Sequence, residues 1–203
     1  MKRINLLLPA LILLAVACKH QPNQPAGPDQ PTEDSVSAGS YLPVADFIKN
    51  DIVRVDSFSG GILRKATTNG KKDSAFIKLP TFHQLASIFL LPELDSASFH
   101  DHFKEHSLMD ETTAMLNFIY TPTSADGSLH NVMVYLTPSS TGTDKVNRIY
   151  LERSFTSGDT AVQQKLTWKM EEYFYIITIR QPKDGPTVTS MEKVIWDPQH
   201  FAE

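Results

Sequence analysis

Residues 165–181, KLTWKMEEYFYIITIRQ, constrain the fold more than any other part of this chain. Leu166, Trp168 and Met170 alternate with Lys165, Thr167 and Lys169. A period of two places the large apolar groups on one face of a β-strand and the polar ones on the other. Beyond Glu171 and Glu172, Tyr173, Tyr175, Ile177 and Ile179 share one face, and Phe174, Ile176, Thr178 and Arg180 share the other. Aromatic and β-branched side chains suit a pleated surface. The stretch therefore predicts a hairpin with its turn at Glu171 and Glu172. The second strand is apolar on both faces, which predicts a strand inside a sheet, covered above and below. The two acids at the tip are expected to be solvated, because paired carboxylates do chemistry in clefts and hairpin tips rarely form one.

The pattern continues on both sides. Residues 113–121, 130–137, 145–155, 162–170, 173–181 and 188–196 read as strands, with loop signals such as Asp126–Gly127, Gly142, Ser157–Gly158 and Asp184–Gly185 between them. Short links favour antiparallel neighbours, so the simplest topology is a six-strand meander. Before it, residues 44–50 place Val44, Phe47 and Ile48 at helical spacing. Residues 51–58 alternate like a strand. Segments 62–67 and 74–79 flank Asn69–Gly70, a type I′ hairpin signal. Residues 80–91 read as a helix with the stripe Phe82, Leu85, Ala86 and Phe89, ended by Pro92. A second helix is expected from Asp95, with Phe99 and Phe103 one turn apart. The fold class is α+β: N-terminal helices and a hairpin packed on a C-terminal six-strand antiparallel meander, either curved into a half-barrel or with the hairpin as a second layer.

The N-terminus is of a different kind. Lys2 and Arg3 precede residues 6–17, a run of apolar or small side chains. As a helix that run would span about 18 Å at ~1.5 Å per residue, short of the roughly 30 Å hydrocarbon core. It reads as the core of a signal peptide, residues 1–17. The run ends in Leu14-Ala15-Val16-Ala17-Cys18, which resembles the lipobox of bacterial lipoproteins. That resemblance implies lipidation of Cys18, the chain's single cysteine, which excludes an internal disulfide. Residues 18–40 carry Pro22, Pro25, Pro28 and Pro31 at every third position and almost no bulky apolar group. Such a segment reads as an extended tether at about 3 Å per residue. Residues 41–203 then form one domain. Loss of Lys2 and Arg3 with the leader takes the formal charge from −4 to −6. That mild acidity excludes the basic balance expected of a nucleic-acid binder.

Candidate chemistry is sparse. His100, His102 and His106 cluster in HDHFKEH. On a helix, His102 and His106 would share a face as metal-binding pairs do, with His100 on another side. The glutamate that a zinc-protease helix needs directly after its first histidine is absent, so a solvated helix face is the plainer reading. Ser57-Phe58-Ser59-Gly60-Gly61 lacks the first glycine of a nucleophile elbow. No phosphate loop or cysteine–histidine zinc pattern occurs. No catalytic residue, metal ligand or cofactor is therefore assigned. Trp168, Tyr175 and Ile177 are the candidate ligand-binding residues, as the lining of an apolar cavity.

From Tyr41 onward, YLPVADFI, TTNGKKDSAFIKL, KVNRIYLE, LTWKMEEYFYIIT and the VIWDP ending together resemble envelope lipoproteins of the Bacteroidota type, a domain of unknown function. The resemblance covers most of the chain after the leader and implies no activity. In that group, acids soon after the cysteine accompany surface export. Here Lys19, His20, Gln21 and Pro22 follow it and the first acid is Asp29, so the resemblance implies an outer-membrane protein facing the periplasm. The expectation is a non-catalytic lipoprotein that binds an envelope partner or an apolar ligand. A half-barrel under a helical lid would be similar to periplasmic lipoprotein carriers. A metal-assisted hydrolase using His102 and His106, and a structural subunit acting through a surface patch, are the competing expectations.

Overall fold

A computed structural model describes residues 41–58, 60–140 and 142–202. Residues 1–40, on which the expected leader, Cys18 and the expected tether fall, lie outside the described residues. Helix α1 (Val44–Asp56) opens the domain and is followed by the hairpin β1 (Ile62–Thr68) and β2 (Lys71–Ile77). Helix α2 (Leu79–Ala86) runs into single 3₁₀ turns at Ser87–Phe89 and Pro92–Leu94, and α3 (Ser96–His102) follows. Seven strands complete the chain: β3 (Phe103–Asp110), β4 (Met115–Pro122), β5 (Leu129–Thr137), β6 (Lys145–Ser157), β7 (Thr160–Lys169), β8 (Tyr173–Pro182) and β9 (Val188–Ile195). A last 3₁₀ turn spans Pro198–His200.

All nine strands lie in one open antiparallel sheet of order β2-β1-β9-β8-β7-β6-β5-β4-β3. The six expected strands are present as β4 to β9. Two corrections follow from how the sheet is extended. The early hairpin does not form a second layer, because β1 pairs with β9 from Leu63↔Ile195 to Thr68↔Ser190. Phe103 and His106, expected on the helix that begins at Asp95, lie instead in the edge strand β3, paired with β4 from Phe103↔Pro122 to Asp110↔Met115. The hairpin turn itself is as expected. Asn69 and Gly70 both have positive φ, 48° and 80°, as a type I′ turn requires. Gly70→Ala should cost about 1–2 kcal/mol, the penalty of a side chain in the left-handed region, read as a lower denaturation midpoint.

The helices cover one face of the sheet. Residues 51–58, expected as strand, continue α1 to Asp56. The helix buries Val44, Ile48, Asp51 and Val55, a stripe of helical spacing. Opposite it, period two gives β7 and β8 their buried sides: Val162, Gln164, Leu166 and Trp168, then Phe174, Ile176 and Thr178. Trp168 and Phe174 are cross-strand partners whose rings stack at 5.0 Å and 27°. Phe89 meets both at 5.1 Å, and Phe82 approaches Phe174 at 5.9 Å and Trp196 at 5.7 Å. These rings fill the space between helices and sheet where a ligand cavity under a helical lid was expected.

Candidate functional site

The opposite face of the sheet has little cover. Side chains of cross-strand partners share a face, so the register defines rows running across the sheet. The first row passes through Leu108, Asn117, Tyr135, Arg148, Lys169 and Tyr173 to Ile195, Leu63 and Phe76. The second passes through His106, Ile119, Met133, Tyr150, Thr167 and Tyr175 to Lys193, Lys65 and Ser74. A third holds Lys104 and Thr121 on one edge pair, and runs from Asn131, Glu152, Lys165 and Ile177 to Met191, Thr67 and Lys72. Tyr135, Tyr150, Tyr173, Tyr175 and Ile177 are half-buried, and Met191 is 39% exposed. The expectation of a β8 covered on both faces is corrected here. Its aromatic side is shielded by neighbouring long side chains within the sheet rather than by a second layer.

One corner is an exception. The C-terminal turn folds across β9, β1 and β2. There Phe201 contacts Phe76 at 5.7 Å, His200 contacts Tyr173 at 5.6 Å, and Lys65 Nζ donates to the Phe201 carbonyl at 2.8 Å. Ile195 is fully buried beneath this corner. Beside it opens a groove of about 500 Å³ lined by Lys65, Thr67, Lys72, Tyr175, Met191 and Lys193. The Lys193 ammonium lies 4.4 Å from the Tyr173 ring centre and 5.3 Å from that of Tyr175. Farther along, Arg148 stacks over Tyr135 at 4.1 Å. Tyr150 donates to Glu152 at 3.2 Å, and burial together with that carboxylate pushes its phenol up to about 12.

A second concentration of polar groups lies where α1 meets the β7–β8 turn. Asp51 Oδ2 accepts from the Trp168 indole N–H at 2.7 Å and from the Glu171 backbone N–H at 2.9 Å. Asp51 Oδ1 is buried with no partner. Burial raises the Asp51 carboxyl above its ordinary value, against those two hydrogen bonds and the nearby Arg54. The turn is three residues long, closed by the Lys169↔Tyr173 pair, with Glu171 at φ +68°. Its acids do not simply face water, as expected of a hairpin tip. Glu171 bridges Lys145 at 2.7 Å and Arg54, and those cations hold its carboxyl below the usual range. The Glu172 carboxylate lies 3.5 Å from Lys169 and 3.2 Å from His200, and its carbonyl accepts from Trp196 and Asp197. The cluster clamps helix, hairpin tip and C-terminal turn together. A cleft of about 490 Å³ beside it is lined by Leu42, Phe47, Leu136, Val146 and Met170 along with Asp51 and Glu171.

The three candidate ligand residues separate. Trp168 points into the helix-covered core and is fully buried, whereas Tyr175 and Ile177 stand on the opposite face. They cannot line one cavity, because Trp168 pairs with Phe174 and odd and even positions of β8 face opposite ways. The histidine cluster also separates. His102 ends α3 and His106 lies within β3, so no helix face unites them. Among the described residues, no group of three or more His, Cys, Asp or Glu could hold a metal ion. Sequence reasoning missed Asp51 and the cationic rows. The signal for Asp51 was an acid at the third position of the stripe Val44, Ile48, Asp51, Val55. The signal for the rows was the lysine at alternate positions of β7. The chain matches no protein-family model and no curated protein.

Proposed function

We propose that the chain is a membrane-anchored lipoprotein of the cell envelope, held by lipid on Cys18 to the periplasmic side of the outer membrane, and that its domain works by binding rather than catalysis. The observation that carries this reading is the succession of leader, Cys18 and proline-spaced tether ahead of a domain with one largely uncovered sheet face. An uncovered face with half-buried aromatic and apolar groups suits contact with a partner. The carrier of an apolar ligand, with its sheet bent into a half-barrel, is the weaker alternative, because aromatic rings fill the space between helices and sheet. A metal-assisted hydrolase using His102 and His106 is weaker still, since the two belong to different elements.

Labelling of cells producing the wild-type chain or Cys18→Ser with a fatty-acid analogue tests the anchor. The wild-type chain should carry the label and Cys18→Ser should carry none. Equal labelling of the two, or no label on either, would remove the lipid from the account.

A further inference from the structure

The charged groups in the three rows across the uncovered face are mostly cations. Arg148 and Lys169 belong to the first, Lys193 and Lys65 to the second, and Lys104, Lys165 and Lys72 to the third. Glu152 is the single carboxylate among them, and it is already bonded by Tyr150 and by Gln163 at 3.0 Å. The chain as a whole has a formal charge of −4. Asp51 and Glu192 belong to the helix side, Asp73 lines the groove at the β2 edge and Asp110 ends β3 at the other edge, so cations outnumber carboxylates across the open face. Lys65 and Lys193 are engaged at the C-terminal corner. Lys72, Lys104 and Arg148 are exposed, Lys165 is half-exposed, and Lys169 donates to Asn147 Oδ1 at 2.9 Å while remaining partly open.

We propose that this face docks onto an anionic bilayer surface, with the lysines and arginine against lipid phosphates and Tyr135, Tyr150 and Tyr175 at headgroup depth. Charge complementarity selects the occupant: cations spread over several strands match a field of phosphates better than a single small ligand. Tyrosine, apolar in body and polar at its tip, is the side chain enriched at that depth. The choice of a bilayer over other polyanions rests on the anchored-lipoprotein reading, which keeps a membrane within reach of the domain. Two modest attachments of this kind reinforce each other by effective concentration.

The chain from Cys18 onward, produced without residues 1–17 and so unacylated, is mixed with vesicles of phosphatidylcholine alone or enriched in phosphatidylglycerol, and binding is read by co-sedimentation. Binding should appear only with the anionic vesicles and fall away at high salt. Lys165→Gln, Arg148→Gln and Lys72→Gln should each weaken it about five-fold, the effect of one basic residue near such a surface. Lys49→Gln, on α1 and so on the helix-covered side of the sheet, should leave it unchanged. Circular dichroism of each variant establishes that the fold is kept. Absence of a preference for anionic vesicles, or equal loss from Lys49→Gln, would overturn the proposal. Tighter binding to a single-stranded oligonucleotide than to vesicles at the same salt would also overturn it, reassigning the face to nucleic acid. Because acylation plays no part in this assay, its failure leaves the Cys18 anchor standing, and failure of the anchor leaves this result standing.

Discussion

Trp168→Ala is expected to abolish most of the domain's stability. Trp168 is fully buried and its ring touches Phe89, Phe174 and Trp196 at 5.1, 5.0 and 5.5 Å. Truncating a buried tryptophan costs about 3–5 kcal/mol in lost burial and residual cavity. Here it also strips Asp51 Oδ2 of the indole donor at 2.7 Å. A buried acceptor that loses a partner adds roughly 1–3 kcal/mol. Against a typical total of about 5–15 kcal/mol, the variant should be largely unfolded or molten at 37 °C. Urea denaturation followed by far-ultraviolet circular dichroism measures the loss. Trp168→Phe, which keeps much of the apolar volume but not the donor, should fall between the two. A loss below about 1 kcal/mol for the alanine variant would mean that the ring is not at the centre of the core.

Asp51 should make stability respond to pH in an unusual direction. Its folded carboxyl is raised above the ordinary value of 3.8, chiefly by burial. A group with a raised folded pKa binds its proton more tightly when folded. Its contribution is full below 3.8 and is lost as pH rises through the higher folded value. Glu171 acts oppositely: Lys145 and Arg54 lower it below 4.5, so its contribution is present at neutral pH and is lost on acidification. Asp51→Asn removes the first dependence and keeps the second. At neutral pH this variant should match or exceed the wild type. It should lose that advantage as pH falls towards the Asp51 folded value. Asp51→Ala leaves the Trp168 and Glu171 donors without an acceptor, and should cost about 2 kcal/mol or more at neutral pH. Urea unfolding of the three proteins across the acidic-to-neutral range measures both effects. An asparagine variant as damaged as the alanine variant at neutral pH would show that the charge, not the hydrogen bonds, is what the site needs.

The legible part of the fold was the part in which one interaction dominates. From β5 to β8 each strand has a buried side of large apolar residues, so period two shows directly, and turn residues mark the gaps. Helix α1 was half hidden because Val53, Arg54, Val55 and Asp56 alternate as a strand would, while Asp51 interrupts the helical stripe. That acid is tolerated because Trp168 and Glu171, more than a hundred residues away, hydrogen-bond it. No local pattern could reveal that. Strand β3 was hidden because it is an edge strand with a largely exposed, polar sequence, and only its pairing with β4 decides its conformation. The site divided in the same way. The half-exposed aromatic residues of β8 were visible as a stripe. The cationic face was not, since it joins one or two residues from each of six strands and needs the register to assemble it.

Mass spectrometry of the chain's N-terminal peptide, purified from membranes of a producing bacterium, addresses the anchored-domain account most directly. The account predicts a peptide that begins at Cys18 and carries added acyl mass on that residue. A peptide retaining residues 1–17, with the Cys18 thiol unmodified, would contradict it.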